Sequence, residues 1–216
     1  MREKKFREAF ELSVYRVAID GLSAQEFEDL RPDFEKMAVA VSEKIPAQVD
    51  ITGEQISGDS ATVFVRVVDA DGKEKVEPAS LIKINNSWTV GDQESLRLVQ
   101  QAGKKFFFEA RINAHHSDVQ DMLTRISLAQ VAYSQGHNGQ FGNTAELITA
   151  GYIPKDIEGP ETTGYRFQVV RSADGKSWYA TAEPAQYGRS GRLSFYLDAS
   201  GVRSGDAGGK PLPLKN

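Results

Sequence analysis

Apolar residues recur at helical spacing through the first 45 positions. Phe6, Phe10, Val14 and Val17 fall on one face, with Leu12, Tyr15 and Ile19 beside them, which predicts a helix that ends at Gly21. Ser23-Ala-Gln-Glu26 has the spelling of a capping box, in which the Ser hydroxyl accepts from a free backbone N–H and the Glu reaches back to the cap. A second helix therefore starts there and carries Phe27, Leu30, Phe34, Met37, Val41 and Ile45. Pro32 is expected to kink or restart it, because proline lacks the donor, and Pro46 to close it. From Val49 the period falls to two. Ala61, Val63, Val65 and Val67 alternate with Thr62, Phe64 and Arg66, Asp71-Gly72 marks a turn, and Ala79–Ile84, Asn85-Asn86 and Trp88–Val90 continue an antiparallel meander.

After Asp92 the helical period returns through Leu96, Val99, Phe106, Phe107 and Ala110, interrupted by Gly103, and residues 93–114 are expected to form a helical connector. Ser117-Asp-Val-Gln120 predicts a new helix start, followed by the stripe Val119, Met122, Ile126, Ala129 and Tyr133. Gly136 and Gly139 suit open backbone, Asn143-Thr-Ala-Glu146 caps a short helix, and Gly151 stops it. Strands are predicted over 164–170, 177–182, 193–197 and 202–203, separated by Ala173-Asp-Gly175, Gly188-Arg-Ser-Gly191 and Asp198-Ala-Ser-Gly201. The expected fold class is α+β in two domains: 1–92, helices plus a curled antiparallel sheet, and 115–216, one helix plus an antiparallel meander.

With S-G-D-S-A-T-V-F-V-R-V at 57–67 and L-I-K-I-N-N-S-W-T-V at 81–90, residues 5–92 resemble the nuclear-transport-factor-like, cystatin-like superfamily, in particular small bacterial domains of unknown function in exported proteins and lipoproteins. The resemblance implies a cone-shaped domain and no particular activity, because that fold hosts enzymes, ligand binders and scaffolds alike. Residues 112–205 resemble the heads of type IV pilins and of type II secretion pseudopilins. The matching blocks are A-Q-V-A-Y at 129–133, G-Q-F-G-N at 139–143, A-G-Y-I at 150–153, G-Y-R-F at 164–167, W-Y-A-T-A-E-P at 178–184 and F-Y-L-D-A-S-G-V-R at 195–203. Pilins polymerise through a long apolar N-terminal helix with a cleavage site and a buried glutamate. Here 104-KKFFFEARINAHH-116 stands in that place, with an apolar run of three phenylalanines. The resemblance thus implies a head without its polymerising helix.

Composition narrows the chemistry. The 216 residues carry 26 Lys and Arg against 30 Asp and Glu, a net charge of −4 with the basic residues dispersed, so nucleic acid is not an expected partner. No cysteine means no disulfide, thiolate nucleophile or thiolate metal site. No stretch approaches the roughly 18 apolar residues of a membrane span, so no membrane insertion by the chain as given is expected. The compartment is expected to be extracytoplasmic, periplasmic or cell-surface, if an upstream signal or anchor was removed, and cytoplasmic otherwise.

Reactive signatures are sparse. His115 and His116, followed by Asp118 and Asp121, offer two ligands at helical reach where a stable metal site needs three or four, and read as polar helix-start residues. Gly188-Arg-Ser-Gly191 is a turn, not a nucleophile elbow, and neither a phosphate loop nor a dinucleotide fingerprint is present. No catalytic, cofactor or metal residues are assigned. Trp88 and Trp178 are expected in sheet-to-helix cores.

The expected function is a non-enzymatic protein-interaction or assembly module. Its recognition surface is the loop 134–163, with His137, Asn138, Gln140, Phe141 and Tyr152 as the candidate residues, together with the tail 204–216. The pilin resemblance implies protein partners among secretion or pilus components of the cell envelope. The alternative is small-molecule binding, with or without turnover, in an apolar pocket of the N-terminal cone lined by Phe10, Phe34, Phe64, Ile82 and Trp88, near the strand acids Asp50, Glu54 and Glu77.

Overall fold

A computed structural model describes residues 3–44, 49–68, 71–160 and 163–213. The chain divides into two compact units, 1–107 and 108–216, and is α+β in both. The expected connector, 93–114, is divided between them.

The N-terminal unit opens with three helices, α1 (Phe6–Glu11), α2 (Arg16–Asp20) and α3 (Ala24–Lys44). The first predicted helix is therefore two. It breaks at Leu12–Tyr15, where the Ser13 hydroxyl donates to the Phe10 carbonyl and the backbone of Leu12 and Val14 bonds instead to Val90. Hydrogen bonds to a strand edge outcompete continuation of the helix, so local periodicity misreads the segment. The Ser23–Glu26 capping box forms in both directions, at 3.2 and 2.9 Å. Helix α3 continues through Pro32 and does not restart there. The predicted close at Ile45 and Pro46 lies outside the described residues.

A four-stranded antiparallel meander follows in the order β1 (Asp50–Ser57), β2 (Ser60–Val68), β3 (Glu74–Ile84), β4 (Ser87–Val90). The β3–β4 turn is Asn85-Asn86, both with positive φ, the geometry of the hairpin turns whose twist matches their strands. Helix α4 (Gln93–Ala102) is capped by Asp92, which accepts from the Ser95 N–H at 2.7 Å. The helical core of this unit is aromatic. Phe34, fully buried, touches the rings of Phe6, Phe10, Phe27 and Phe107 at centroid distances of 5.0 to 5.9 Å.

Helix α5 (Phe106–Gly136) is one continuous helix of 31 residues, so Ser117-Gln120 is not a helix start. The capping-box spelling is silent there because the backbone upstream is already helical, leaving no free N–H groups to cap. Helix α6 (Thr144–Thr149) does carry its predicted capping box, Asn143 with Glu146. Gly151 ends it with φ of 74°, and the Tyr152 N–H returns to the Leu147 carbonyl.

The second sheet, β5 (Tyr165–Arg171), β6 (Trp178–Pro184), β7 (Leu193–Asp198) and β8 (Gly201–Asp206), is again an antiparallel meander in chain order. Its inner face presents Tyr165, Val169, Ala180, Ala182, Phe195 and Leu197 to Val119, Leu123, Ile126 and Tyr133 of α5. Among the described residues, no helix is long and apolar enough to cross a membrane.

Candidate functional site

The loop after α5 is held by a series of local devices. The His137 ring stacks on Tyr133, centroids 3.7 Å apart and planes within 3°, and its Nδ1 meets the Tyr133 carbonyl at 2.7 Å. Asn138 turns the chain with φ of 54°, a conformation asparagine tolerates. Gly139 then donates back to the Ser134 carbonyl, and the Phe141 N–H to the Gly175 carbonyl at 2.9 Å. Gln140 packs against Gly175, which has room for it because it carries no Cβ. Tyr152 meets Tyr133 edge-on at 6.4 Å and stays 39% exposed.

The five candidate loop residues thus fall into two groups around a tip. His137 and Tyr152 share Tyr133, Gln140 and Phe141 share the β5–β6 hairpin, and Asn138 is the exposed tip between them. Beneath them lies the side chain that sequence reasoning missed. Gln130, fully buried in α5, bonds to both backbone groups of Gly142. No spacing signals that role, because its partner is main chain twelve residues away.

Beside this loop, on the outer face of the sheet, is a cleft of about 500 Å³. Its lining includes Phe141, Val170, Tyr179, Tyr196, Lys176 and Ser200. Arg171 pairs with Glu146 at 3.1 Å, tying the cleft edge to α6.

His115 and His116 are not polar helix-start residues. They lie in the middle of α5 and grip the β6–β7 loop. The Nδ1–H of His115 donates to the Ser190 carbonyl at 2.8 Å, while His116 Nε2 accepts from the Arg192 and Leu193 N–H groups at 3.4 and 3.5 Å. His116 must be neutral to accept. Burial lowers its pKa, and the neighbouring His115 and Arg192 add to the shift. Arg192 is itself ion-paired with Glu109. Among the described residues no group of three or more His, Cys, Asp or Glu is placed to hold a metal ion.

The five candidate pocket residues of the N-terminal unit have different surroundings. Phe10 and Phe34 are in ring contact, 5.1 Å between centroids, inside the aromatic core. Ile82 packs with Val14 and Leu96, and Phe64 is half-buried on β2. Trp88, expected in a core, is 41% exposed and lines a surface groove with Leu12 and Val17. It lies on β4, the last strand of this sheet, with Lys83 Nζ 6.0 Å from its ring centroid. Trp178 is buried as expected. Of the strand acids, Asp50 pairs with Arg66, Glu77 pairs with Lys75, and Glu54 is exposed.

Neither a family model nor a curated protein matches the chain. A crystal structure described as that of an NTF2-like transpeptidase from Campylobacter jejuni aligns with 41% of this chain and 94% of its own, at 16% identity and a TM-score of 0.22. The fold and the two surfaces above define a two-unit α+β protein.

Proposed function

We propose that this chain is a non-enzymatic protein-interaction module acting outside the cytoplasm, its C-terminal unit related to pilin and pseudopilin heads and its partners drawn from envelope secretion or pilus machinery. The observation that carries the reading is the presentation of 137–152. Its exposed side chains stand on backbone fixed from below by Gln130, at 2.7 and 2.9 Å to Gly142, and from the side by the Asn143–Glu146 box. A surface loop preordered in this way loses little conformational entropy when a partner binds. The resemblance that suggests those partners rests on the order of the unit, a long helix, a loop with its own short helix and an antiparallel meander.

A photo-crosslinking amino acid at Asn138 or Tyr152, introduced into the protein in its own cells, tests this. Crosslinks to envelope assembly proteins from these two positions, and none from Glu28 in the N-terminal unit, are the expected result. Crosslinks confined to cytosolic enzymes would overturn it.

A further inference from the structure

Among the asparagines of the chain, Asn138 alone precedes a glycine. That pair carries a reaction of its own. The glycine nitrogen, with no side chain to hinder it, loses its proton to solvent base and bonds to the asparagine carboxamide carbon. The carbon–nitrogen bond of the side-chain amide breaks, ammonia leaves with a proton from water, and a five-membered succinimide remains. Water then opens the ring at either carbonyl, giving aspartate or isoaspartate.

The fold places this pair in the C-terminal cap of α5. Asn138 is exposed, with φ of 54°, and Gly139 follows with φ of 74°. The Gly139 N–H donates to the Ser134 carbonyl at 2.9 Å, five residues back, which is the long bond of a Schellman cap on a helix ending at Gly136. Both features oppose ring closure. The N–H that must lose its proton is held by a carbonyl, and in left-handed backbone the following nitrogen lies anti to Cβ, turned away from the carboxamide carbon. The cap in turn stands on its surroundings: His137 is stacked on Tyr133, Phe141 is bonded to Gly175, and Gln130 holds Gly142. Asn138 therefore reacts only when this stretch opens.

We propose that Asn138 is a deamidation site gated by the α5 cap, silent while Gly139 is bonded to Ser134 and reactive once the loop opens. The product makes the opening permanent. Isoaspartate adds a methylene to the main chain, so the Gly139 N–H no longer meets Ser134 in register. Either product sets a carboxylate at the C-terminal end of α5, where the helix dipole disfavours negative charge and the last turn carries no basic residue. Lys176, whose ammonium stands 3.8 Å from where a Cβ on Gly139 would lie, offsets part of that charge. The modification stands whether or not the loop recognises a partner.

The full chain, incubated in mildly alkaline buffer, is compared with the peptide SQGHNGQFG, residues 134–142 without the fold. Mass spectrometry of the tryptic fragment 126–155 localises the conversion of amide to acid, with Asn143, which precedes a threonine, as the slow control in the same fragment. The peptide should convert at Asn138, and the folded chain about tenfold or more slowly, since about 1.4 kcal/mol of opening free energy suffices for each factor of ten. Native-state hydrogen exchange at the Gly139 N–H reads the same opening, so the slowing of deamidation should equal or exceed the protection of that amide. Gln130→Leu should speed both; if that variant does not fold, the exchange comparison in the unaltered chain decides. Equal rates in chain and peptide overturn the proposal, as does a slowing smaller than the protection of Gly139. Conversion at Asn143 in place of Asn138, or a Gln130→Leu chain in which Gly139 exchanges faster while Asn138 reacts no faster, overturns it equally. None of these failures touches the crosslinking result at Asn138 and Tyr152, which tests the interaction reading separately.

Discussion

Gln130 satisfies both backbone groups of Gly142: its Nε2 donates to the glycine carbonyl at 2.7 Å and its Oε1 accepts from the glycine N–H at 2.9 Å. One fully buried side chain thus replaces the strand partner that an irregular loop would otherwise lack. Gln130→Leu preserves bulk and strands both groups away from water. At about 1–3 kcal/mol per unsatisfied group the loss is about 3 kcal/mol. Urea denaturation should show that drop, and hydrogen exchange at 137–143 should accelerate. An unchanged midpoint would mean the loop is held by Asn143 and Glu146 alone.

His116 makes stability depend on pH. His116 takes a proton in the unfolded chain near pH 6.5 and at lower pH in the folded chain, because it is buried and flanked by His115 and Arg192. Between those values the unfolded state binds more protons, so stability is full above about pH 6.5 and falls as acid is added. Glu109, which neutralises Arg192, limits the effect, and Tyr165 beside the ring stays protonated throughout, its pKa raised by burial. Tm should fall between pH 7.5 and 5.5, and His116→Phe should flatten that slope. Equal slopes in both proteins would count against a neutral, accepting His116.

Zinc follows from the same geometry. His115 and His116 spend a ring nitrogen each on the β6–β7 loop, and no third ligand stands near among the described residues. Thermal melts with and without zinc should coincide. A rise in Tm that His115→Ala abolishes would show a site the apo geometry does not contain.

Phe34 organises the N-terminal core. Its ring touches those of Phe6, Phe10, Phe27 and Phe107, and it is fully buried. Phe34→Ala removes the centre of that cluster and should cost about 3–5 kcal/mol. Trp88→Ala, at a ring 41% exposed, should cost about 1 kcal/mol or less. Comparable losses for the two would indicate a tryptophan that serves a core after all.

Which features the sequence discloses depends on where the deciding partner sits. The Ser23–Glu26 and Asn143–Glu146 boxes are legible because both members lie within three residues. Strands β2 to β4 and the turns at Asp71-Gly72 and Asn85-Asn86 are legible because alternation and these dipeptides are local chemistry, whereas β1 (Asp50–Ser57), exposed at all but one position, shows no buried alternation to read. The break at Ser13 is not, since Val90, its cause, is 76 or more residues away along the chain. Ser117-Gln120 misleads for the converse reason: its spelling is correct, yet the helix has already begun at Phe106. Glycine and aromatic content mark the loop residues, while Gln130, which bonds to Gly142 beneath them, looks like any polar residue on a helix. Period places Phe10, Phe34, Phe64, Ile82 and Trp88 on apolar positions, but period does not say whether a void lies between them.

Gly191 makes the sharpest steric prediction. Its backbone φ is not in the left-handed region, so alanine there meets no conformational penalty. The obstacle is Tyr165, whose hydroxyl, Cζ and Cε2 all stand inside contact distance of an added Cβ. Tyr165 has no room to retreat, being fully buried with its hydroxyl bonded to the Leu193 carbonyl at 2.9 Å. Gly191→Ala should therefore destabilise the protein by about 3 kcal/mol, as overpacking of a closed core does. Tyr165→Phe alone should cost about 1 kcal/mol, the worth of one hydrogen bond. The double variant should recover part of the loss and not all, because the ring carbons still crowd the methyl; the non-additivity is the signature of direct contact. Gly188→Ala supplies the contrast, since nothing lies within 4 Å of its Cβ and only its φ of 75° opposes the change. Additive effects for Gly191 and Tyr165 in a denaturation cycle would show that the β6–β7 loop can move off the tyrosine, and the histidine grip on Ser190 and Leu193 would then be too weak to define it.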